Sequence, residues 1–339
     1  MELKKVLKYR NIFMALAILW IIFYHMKYTI NIPIIKFIKN TGYGGVDIFI
    51  FASGIGCFYS LYKNENINGF IKRRIKKLMP TFWVFILFFI AYRLFNKTIG
   101  IRSIIGNILC VESFAFNKHE FNWYISCIWL FYFLAPYLYF YTKNIKSHFK
   151  AFLFLILLLL FTLPFMRNDA LIIMVTRLPL FFLGIYFGKL INEDYKLSKT
   201  QLILSILIMI IGIFILKYSF IYYKKLLGDY GLYWYPFILI TPPLCIIISS
   251  ICDLINKNKV GKFILKIFDK LGTITFELYL VHVLIFEIVR DMLSNKTLNN
   301  NILLWIISTL ISFILAIGLK YLTKLILLLL NKIHIKKLA

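Results

Sequence analysis

The composition of this 339-residue chain points to a membrane rather than to water, because 61% of its residues are hydrophobic and its mean hydropathy is +0.81. A soluble globular domain is nearer half apolar. A formal net charge of +26 would suggest nucleic acid in a soluble protein, but here the basic residues fall between the apolar runs. No nucleic-acid partner is therefore expected.

The chain carries ten apolar runs along its whole length, and most of them approach the roughly 20 residues that cross a bilayer. Strong period-2 alternation is absent, so the expected fold class is an all-α integral membrane protein of about ten transmembrane helices. Because no loop is long enough for a folded domain, residues 1–339 are expected to form a single polytopic domain with no appended soluble domain. The runs cover residues 11–25, 45–62, 81–95, 123–141, 150–166, 170–191, 201–218, 234–251, 272–289 and 301–319.

The distribution of basic residues predicts the orientation of the chain. If the N-terminus lies inside, the inner segments carry 26 of the 40 Lys and Arg residues and the outer segments carry 13. By the positive-inside rule, both termini are then cytosolic.

Cysteine and histidine spacing predicts no metal site and no disulfide. The five cysteines lie within or beside apolar runs without a CxxC pair, so they are expected to be small buried hydrophobes. No two histidines occur at i, i+4. His119, His148 and His334 lie in polar connections, where solvated side chains are expected.

The first apolar run, ALAILWIIFYH, ends in His25. An ionisable side chain in a span is costly and usually faces a cavity or a partner. A histidine at a helix end also serves as a simple interface anchor, so the residue alone leaves both roles open.

The second run contains GVDIFIFASG at 45–54, with Asp47 close to the start of a helix. Asp47 is either a helix cap or a carboxylate that orients a nearby imidazole. The pair Ser53 and Gly54 permits close packing against another helix.

The connection NINGFIKRRIKKLMP at 66–80 predicts a cytosolic interfacial helix that ends where Pro80 opens the next span. Arg74 and Lys77 lie at i, i+3 and share a flank of that helix. They bind either anionic lipid headgroups or the phosphates of a ligand.

Two later segments also place polar groups in the membrane. Arg177 precedes Leu-Pro, which predicts a helix break and an ion pair with a buried acid. Thr275, Tyr279 and His282 share one face of a helix, while Glu277 points to another side. Such a stripe either lines a cavity or forms hydrogen bonds to neighbouring helices.

Several stretches, in the same order, make the chain similar to the acyltransferase family 3 proteins, which are multi-pass bacterial enzymes that acylate cell-surface glycans. Two positions depart from the family pattern. Met14 stands where the family has an arginine eleven positions before the histidine, although Arg10 lies one turn earlier; Lys77 replaces the second arginine of an RxxR element. The matching stretches are AILWIIFYH ending at His25, GVDIFIFASG at 45–54, RIKKLMP at 74–80, WYISCIWLFYFLAPYL at 123–138 and FELYLVH at 276–282.

The resemblance implies an O-acyltransferase of the bacterial cytoplasmic membrane, with no tightly bound cofactor. It implies transfer of an acyl group, in most members acetyl, from cytosolic acetyl-CoA to a hydroxyl of an exopolysaccharide, a cell-wall polymer or a lipid-linked glycan. His25 is then the general base or a transient acyl carrier, and Asp47 assists it. The acyl-CoA phosphates are assigned to Arg73, Arg74 and Lys77. The acceptor or acyl path is assigned to Ser53, Trp123, Tyr124, Tyr279 and His282.

A transporter or flippase for a polysaccharide precursor or a small anion is the competing class. Proton-coupled carriers also place His and Asp relays in their spans. The sequence shows no internal repeat of interrupted helices, and a phosphate-binding cytosolic helix has no obvious role in a carrier. A purely structural membrane protein is a third class, which the number of intramembrane ionisable groups disfavours. The acceptor, the choice between acetyl and succinyl, and the oligomeric state stay open.

Overall fold

A computed structural model describes residues 2–112, 123–223, 229–292 and 302–338, except for the side chains of Asp169 and of 331–338. Within these ranges the chain is helical, with two short 3-10 turns and one isolated bridge between Glu2 and Lys196. The all-α fold class is therefore confirmed. The helices are α1 Lys4–Lys8, α2 Arg10–Tyr24, α3 Pro33–Asn40, α4 Gly45–Lys63, α5 Ile67–Phe95, α6 Ile101–Ile108, α7 Trp123–Asn144, α8 His148–Thr162, α9 Asp169–Val175, α10 Leu178–Asn192, α11 Lys199–Tyr222, α12 Pro236–Ile255, α13 Lys259–Gly272, α14 Thr275–Met292 and α15 Ile302–Leu338.

Each predicted apolar run falls mostly on helix in the described residues. By length and composition, 8 stretches of the described chain could span a membrane, and the bent pair α13–α14 brings the number to 9 if it counts as one span. Helix α2 is apolar as well but has only 15 residues. Helices α8 and α11 are buried over only 17% of their apolar windows, as expected for helices that face lipid.

The prediction of a separate interfacial helix before Pro80 is wrong. Helix α5 continues without interruption from Ile67 to Phe95, and Pro80 lies inside it. A proline removes one backbone hydrogen bond and usually ends or kinks a helix. Here Met79 and Phe82 on either side of the proline are buried in the core, so packing keeps the chain helical across it.

The predicted break at Arg177 is confirmed. Helix α9 ends at Val175 and α10 begins at Leu178, with Pro179 in its first turn, where the missing N–H costs nothing. Arg177 caps α10, and its side chain is 1% exposed. The break therefore delivers a guanidinium group to the interior of the bundle.

Helices α4 and α10 approach each other closely at two glycines. A Cβ on Gly54 would collide with the carbonyl oxygen of Phe181, and one on Gly184 would collide with that of Phe51. This contact confirms the predicted close packing at Gly54. It holds the N-terminal half of α4, with Asp47, next to the break that carries Arg177.

The turn between α13 and α14 lies beside the start of α2. The two helices meet at 69°, and Gly272 at the end of α13 packs directly against Asn11. Asn11 also donates a hydrogen bond to Asp269 at 3.0 Å. The first turn of α14 is thereby placed next to Arg10.

Candidate functional site

Two cavities lie at opposite ends of α2. The first, here called the basic cavity, has a volume of about 250 Å³ and is lined at the start of α2 by Arg10. The second, the histidine cavity, has a volume of about 740 Å³ and is lined at the other end by His25. At 1.5 Å per residue, these two positions are about 22 Å apart along the helix axis. Helices α2, α4, α7 and α14 each contribute side chains to both cavities.

The histidine cavity brings together the two imidazoles that the sequence singled out. His25 caps the C-terminus of α2 and is half-buried. Its ring centroid is 5.1 Å from that of His282, and the planes of the two rings form an angle of 62°. His282 lies on α14, is 1% exposed, and lines the same cavity. The two residues are far apart in the chain, and only the packing of α14 against α2 makes them neighbours.

Two backbone carbonyl oxygens determine which nitrogen of the His282 ring carries the hydrogen. Its Nδ1 lies 3.0 Å from the carbonyl oxygen of Leu278 and 2.8 Å from that of Tyr279. A carbonyl oxygen only accepts, so Nδ1 must carry the hydrogen, and Nε2 of the neutral ring carries a lone pair. That Nε2 is buried and has no hydrogen-bond partner among the described residues. His282 therefore offers an uncommitted basic nitrogen in the wall of the histidine cavity.

The carboxylate of Asp47 does not contact an imidazole, in contrast to one of the two roles considered from the sequence. Its carboxylate forms an ion pair with Arg177, with distances of 3.3 Å from both Nε and Nη2. Each side chain is 1% exposed. The ion pair predicted for Arg177 is thus confirmed, and the carboxylate of Asp47 is its partner.

Arg177 is the residue that sequence reasoning undervalued. It lines the histidine cavity, and its guanidinium carbon lies 4.8 Å from the ring centroid of Trp123 and 5.6 Å from that of Trp234. Its Nη1 donates to the carbonyl oxygen of Ile173 at 2.5 Å. A cation held on several sides in this way is a fixed positive charge in the cavity wall. The available signal was an intramembrane arginine at a proline break.

The basic cavity contains three cations from two helices. Arg10, Arg74 and Lys77 all line it. Arg74 donates from Nη2 to the carbonyl oxygen of Gly56 at 3.0 Å, while its buried Nε has no partner in the described part of the chain. Its guanidinium carbon also lies 5.4 Å from the ring centroid of Tyr132.

Arg10 brings a positive charge to the basic cavity one turn of α2 before Met14. Met14 lines the basic cavity one turn further along α2 and brings no charge to it. The Nε of Arg10 donates to the carbonyl oxygen of Ala52 at 3.3 Å, which holds the guanidinium group beside the cavity.

Arg73 is not part of the basic cavity. Its guanidinium group donates to the hydroxyl and carbonyl oxygens of Ser60 at 3.3 and 3.1 Å, and to the carbonyl oxygen of Asn64 at 3.3 Å. Arg73 therefore links α5 to the end of α4 and to the connection that follows it. It lies on a different side of α5 from Arg74.

The residues assigned to the acyl or acceptor path divide between the two cavities. Ser53 and Tyr124 line the basic cavity, Trp123 and His282 line the histidine cavity, and Tyr279 lines both. Aromatic rings connect the cavities, with centroid distances of 5.1 Å from Tyr124 to Tyr279 and 5.8 Å from Tyr279 to His282. Tyr279 thus stands at the boundary between the two cavities.

Neither His148 nor any of the five cysteines lines one of the two cavities. His148 is exposed, as expected, and its Nδ1 lies 2.5 Å from the hydroxyl of Tyr186. His119 and the side chain of His334 fall outside the described residues. All five cysteines are buried and unpaired, as predicted. No group of three or more potential metal ligands occurs in the described ranges.

Comparison with known proteins gives a family match. The model of an acyltransferase domain matches residues 11–321, a range that holds both histidines of the cavity together with Arg74 and Lys77. Arg10 lies one position before it. No curated protein and no solved structure matches the chain.

Proposed function

The chain belongs to the acyltransferase family whose model matches residues 11–321, and from this premise we propose that it moves an acetyl group from cytosolic acetyl-CoA to a hydroxyl group of a cell-surface or lipid-linked glycan. The enzyme is then a multi-pass O-acetyltransferase of the bacterial cytoplasmic membrane. The glycan that accepts the acetyl group then belongs to exopolysaccharide or cell-wall synthesis.

The observation that carries this proposal is the pair of cavities that share four helices and meet at Tyr279. CoA carries its phosphates at one end and its thioester at the tip of a long flexible arm. Cations suit the first end, since Arg offers a bidentate fork and Lys a point charge to phosphate. In the orientation predicted from the basic residues, Arg10, Arg74 and Lys77 lie on the cytosolic side, where acetyl-CoA is available.

The histidine cavity supplies the groups that thioester-to-alcohol transfer needs. The acceptor oxygen forms a bond to the acetyl carbon, the C–S bond breaks, and CoA leaves as the thiolate. An imidazole takes the hydroxyl proton, which is the usual role of histidine in general base catalysis. His25 is the base, or it carries the acetyl group transiently before the hydroxyl attacks. The lone pair on Nε2 of His282 is available to the same proton.

Arg177 complements this chemistry through its charge. Negative charge develops on the carbonyl oxygen as the tetrahedral intermediate forms, and a prepositioned cation stabilises it. Asp47 and the two tryptophans keep the guanidinium group in one place. Asp47 is therefore a positioning residue in this proposal.

The test is the transfer of radiolabelled acetyl from acetyl-CoA to glycan by purified, normally inserted protein. We expect His25→Ala to lower the rate by at least about 100-fold, because it removes the base. His148→Ala is the matched control, since His148 lies outside both cavities. Full activity in His25→Ala contradicts the assignment. Movement of glycan across the membrane without release of free CoA would instead support the carrier class.

A further inference from the structure

A third cavity, here called the side groove, reaches His25 from between α14 and α15. It has a volume of about 370 Å³, and His25 lines both this groove and the histidine cavity. The imidazole proposed as the base is therefore accessible by two routes. The proposed acyl transfer from the basic cavity uses one of them, and the side groove is left without a role.

Part of the wall of the side groove is apolar. Val283, Phe286 and Val289 line it from successive turns of α14, and Leu304 lines it from the first turn of α15. Trp305 closes it and is held by a hydrogen bond from its indole N–H to the carbonyl oxygen of Ile22 at 3.2 Å. These side chains suit an aliphatic chain, because they offer apolar contacts over successive turns of α14.

The side groove also contains cationic groups, Lys27 and Arg290. Lys27 is exposed and forms no ion pair with any carboxylate of the described residues. Arg290 pairs with Asp291 at 3.2 Å.

The acidic groups nearby are already engaged. The one carboxylate in the groove wall, Glu287, is bound in a bidentate pair by Arg93 at 2.7 and 2.8 Å. Asp291 also accepts from the hydroxyl of Tyr92 at 3.2 Å. The positive charge of Lys27 is therefore not neutralised by a neighbouring carboxylate, and a phosphate would be attracted to it.

The position of the groove relates it to the bilayer. His25 ends α2, on the side of the membrane that the basic-residue distribution predicts to be outer. Helix α15, which forms one wall, exposes Ile307, Leu310 and Ile314 on its other faces, with Ile314 68% exposed. Exposed apolar side chains on a long apolar helix are expected to face lipid, so the groove is formed in part by a helix that borders the bilayer.

We propose that the acceptor is a glycan attached through a phosphate to a long aliphatic chain, and that this lipid lies in the side groove. The chain contacts the apolar wall of α14 and α15, the phosphate lies at Lys27 and Arg290, and a sugar hydroxyl lies at His25. This inference rests on the proposed function and narrows its acceptor to the lipid-linked class. A water-soluble polysaccharide has no use for an apolar groove that ends at the reactive imidazole.

The experiment compares two acceptors in acetyl transfer by the purified full-length protein. One is a disaccharide linked through diphosphate to a phytanyl chain, and the other is the methyl glycoside of the same disaccharide. We expect kcat/KM to be at least about tenfold higher for the lipid-linked form, the ratio that one additional favourable contact region readily supplies.

Variants locate the effect in the groove. Val289→Trp narrows the apolar wall and is expected to raise KM for the lipid-linked acceptor while activity on the methyl glycoside stays unchanged. Lys27→Gln is expected to raise the same KM, and because Lys27 is exposed this variant avoids any folding defect. Leu310→Trp, on the lipid-facing side of α15, is the matched control and should change neither acceptor.

The outcomes separate this inference from the proposed function. Equal kcat/KM for both acceptors overturns the inference and leaves the acyltransferase intact. An equal loss for both acceptors in Val289→Trp indicates a bound structural phospholipid only, and also overturns it. No acetyl transfer to either acceptor contradicts the proposed function itself.

Discussion

The two ends of α2 hold their charged groups in different ways. In the histidine cavity, Arg177 is bound by a carboxylate, a carbonyl oxygen and two indole rings, and His282 is bound by two carbonyl oxygens. In the basic cavity, Arg74 is buried against a carbonyl oxygen and two aromatic rings, but Arg10 has one backbone hydrogen bond and Lys77 is exposed. Fixed groups suit the reaction centre, where misplacement is costly. Loosely held cations suit the recognition of phosphates on a flexible ligand.

The largest effect on kcat is expected from substitution of His282, whose ring is fixed in the wall of the histidine cavity. His282→Asn keeps an N–H donor for the carbonyl oxygens of Leu278 and Tyr279 but removes the basic nitrogen. We expect kcat to fall about 100- to 10,000-fold if Nε2 takes part in proton transfer, while KM for acetyl-CoA stays unchanged. The measurement is steady-state acetyl transfer. A wild-type kcat in this variant would mean that His282 has only a structural role.

The next effect tests whether Asp47 and Arg177 serve stability or chemistry. Asp47→Asn leaves a buried guanidinium group without its counter-charge, so we expect a loss of about 3–5 kcal/mol in the free energy of unfolding. The double variant Asp47→Leu, Arg177→Met removes both charges and should recover most of that stability. Thermal unfolding in detergent measures both. If the double variant recovers its stability and also keeps full activity, the ion pair stabilises the fold and takes no part in the reaction.

A smaller effect is expected at the basic end. Arg10→Ala removes one charged hydrogen-bond donor from the basic cavity, so KM for acetyl-CoA should rise about tenfold, for a loss of about 1.5 kcal/mol. Because Arg10 is about 22 Å from His25, kcat should not change. Acetyl-CoA titration checks this. A change in kcat with constant KM would contradict the division between the two ends.

The smallest effect is expected from Arg73, which provides a matched control for the three cations of the basic cavity. Arg73→Ala should change KM for acetyl-CoA by less than about twofold, because the exposed side chain forms its hydrogen bonds to Ser60 and Asn64, outside the basic cavity. The same titration applies. A tenfold rise in KM would mean that this connection moves to bind the donor.

Much of the site was predictable because its signals are local. The flank shared by Arg74 and Lys77 follows from helical spacing, and both line one cavity. The helix break at Arg177 follows from Pro179. The role of Asp47 was not predictable, because its partner lies 130 positions away in the chain. Local rules also failed at Pro80, where buried neighbours override the proline.

The sequence by itself determined that this chain is a bundle of apolar helices, since a bilayer demands long apolar runs with internally satisfied backbones. It also determined which polar residues enter the membrane. Only the tertiary structure decided which of them meet. Arg10 joins Arg74 because α2 and α5 both border the basic cavity, and His25 meets His282 because α14 packs against α2. These contacts depend on how distant helices pack, and no spacing along one helix encodes them.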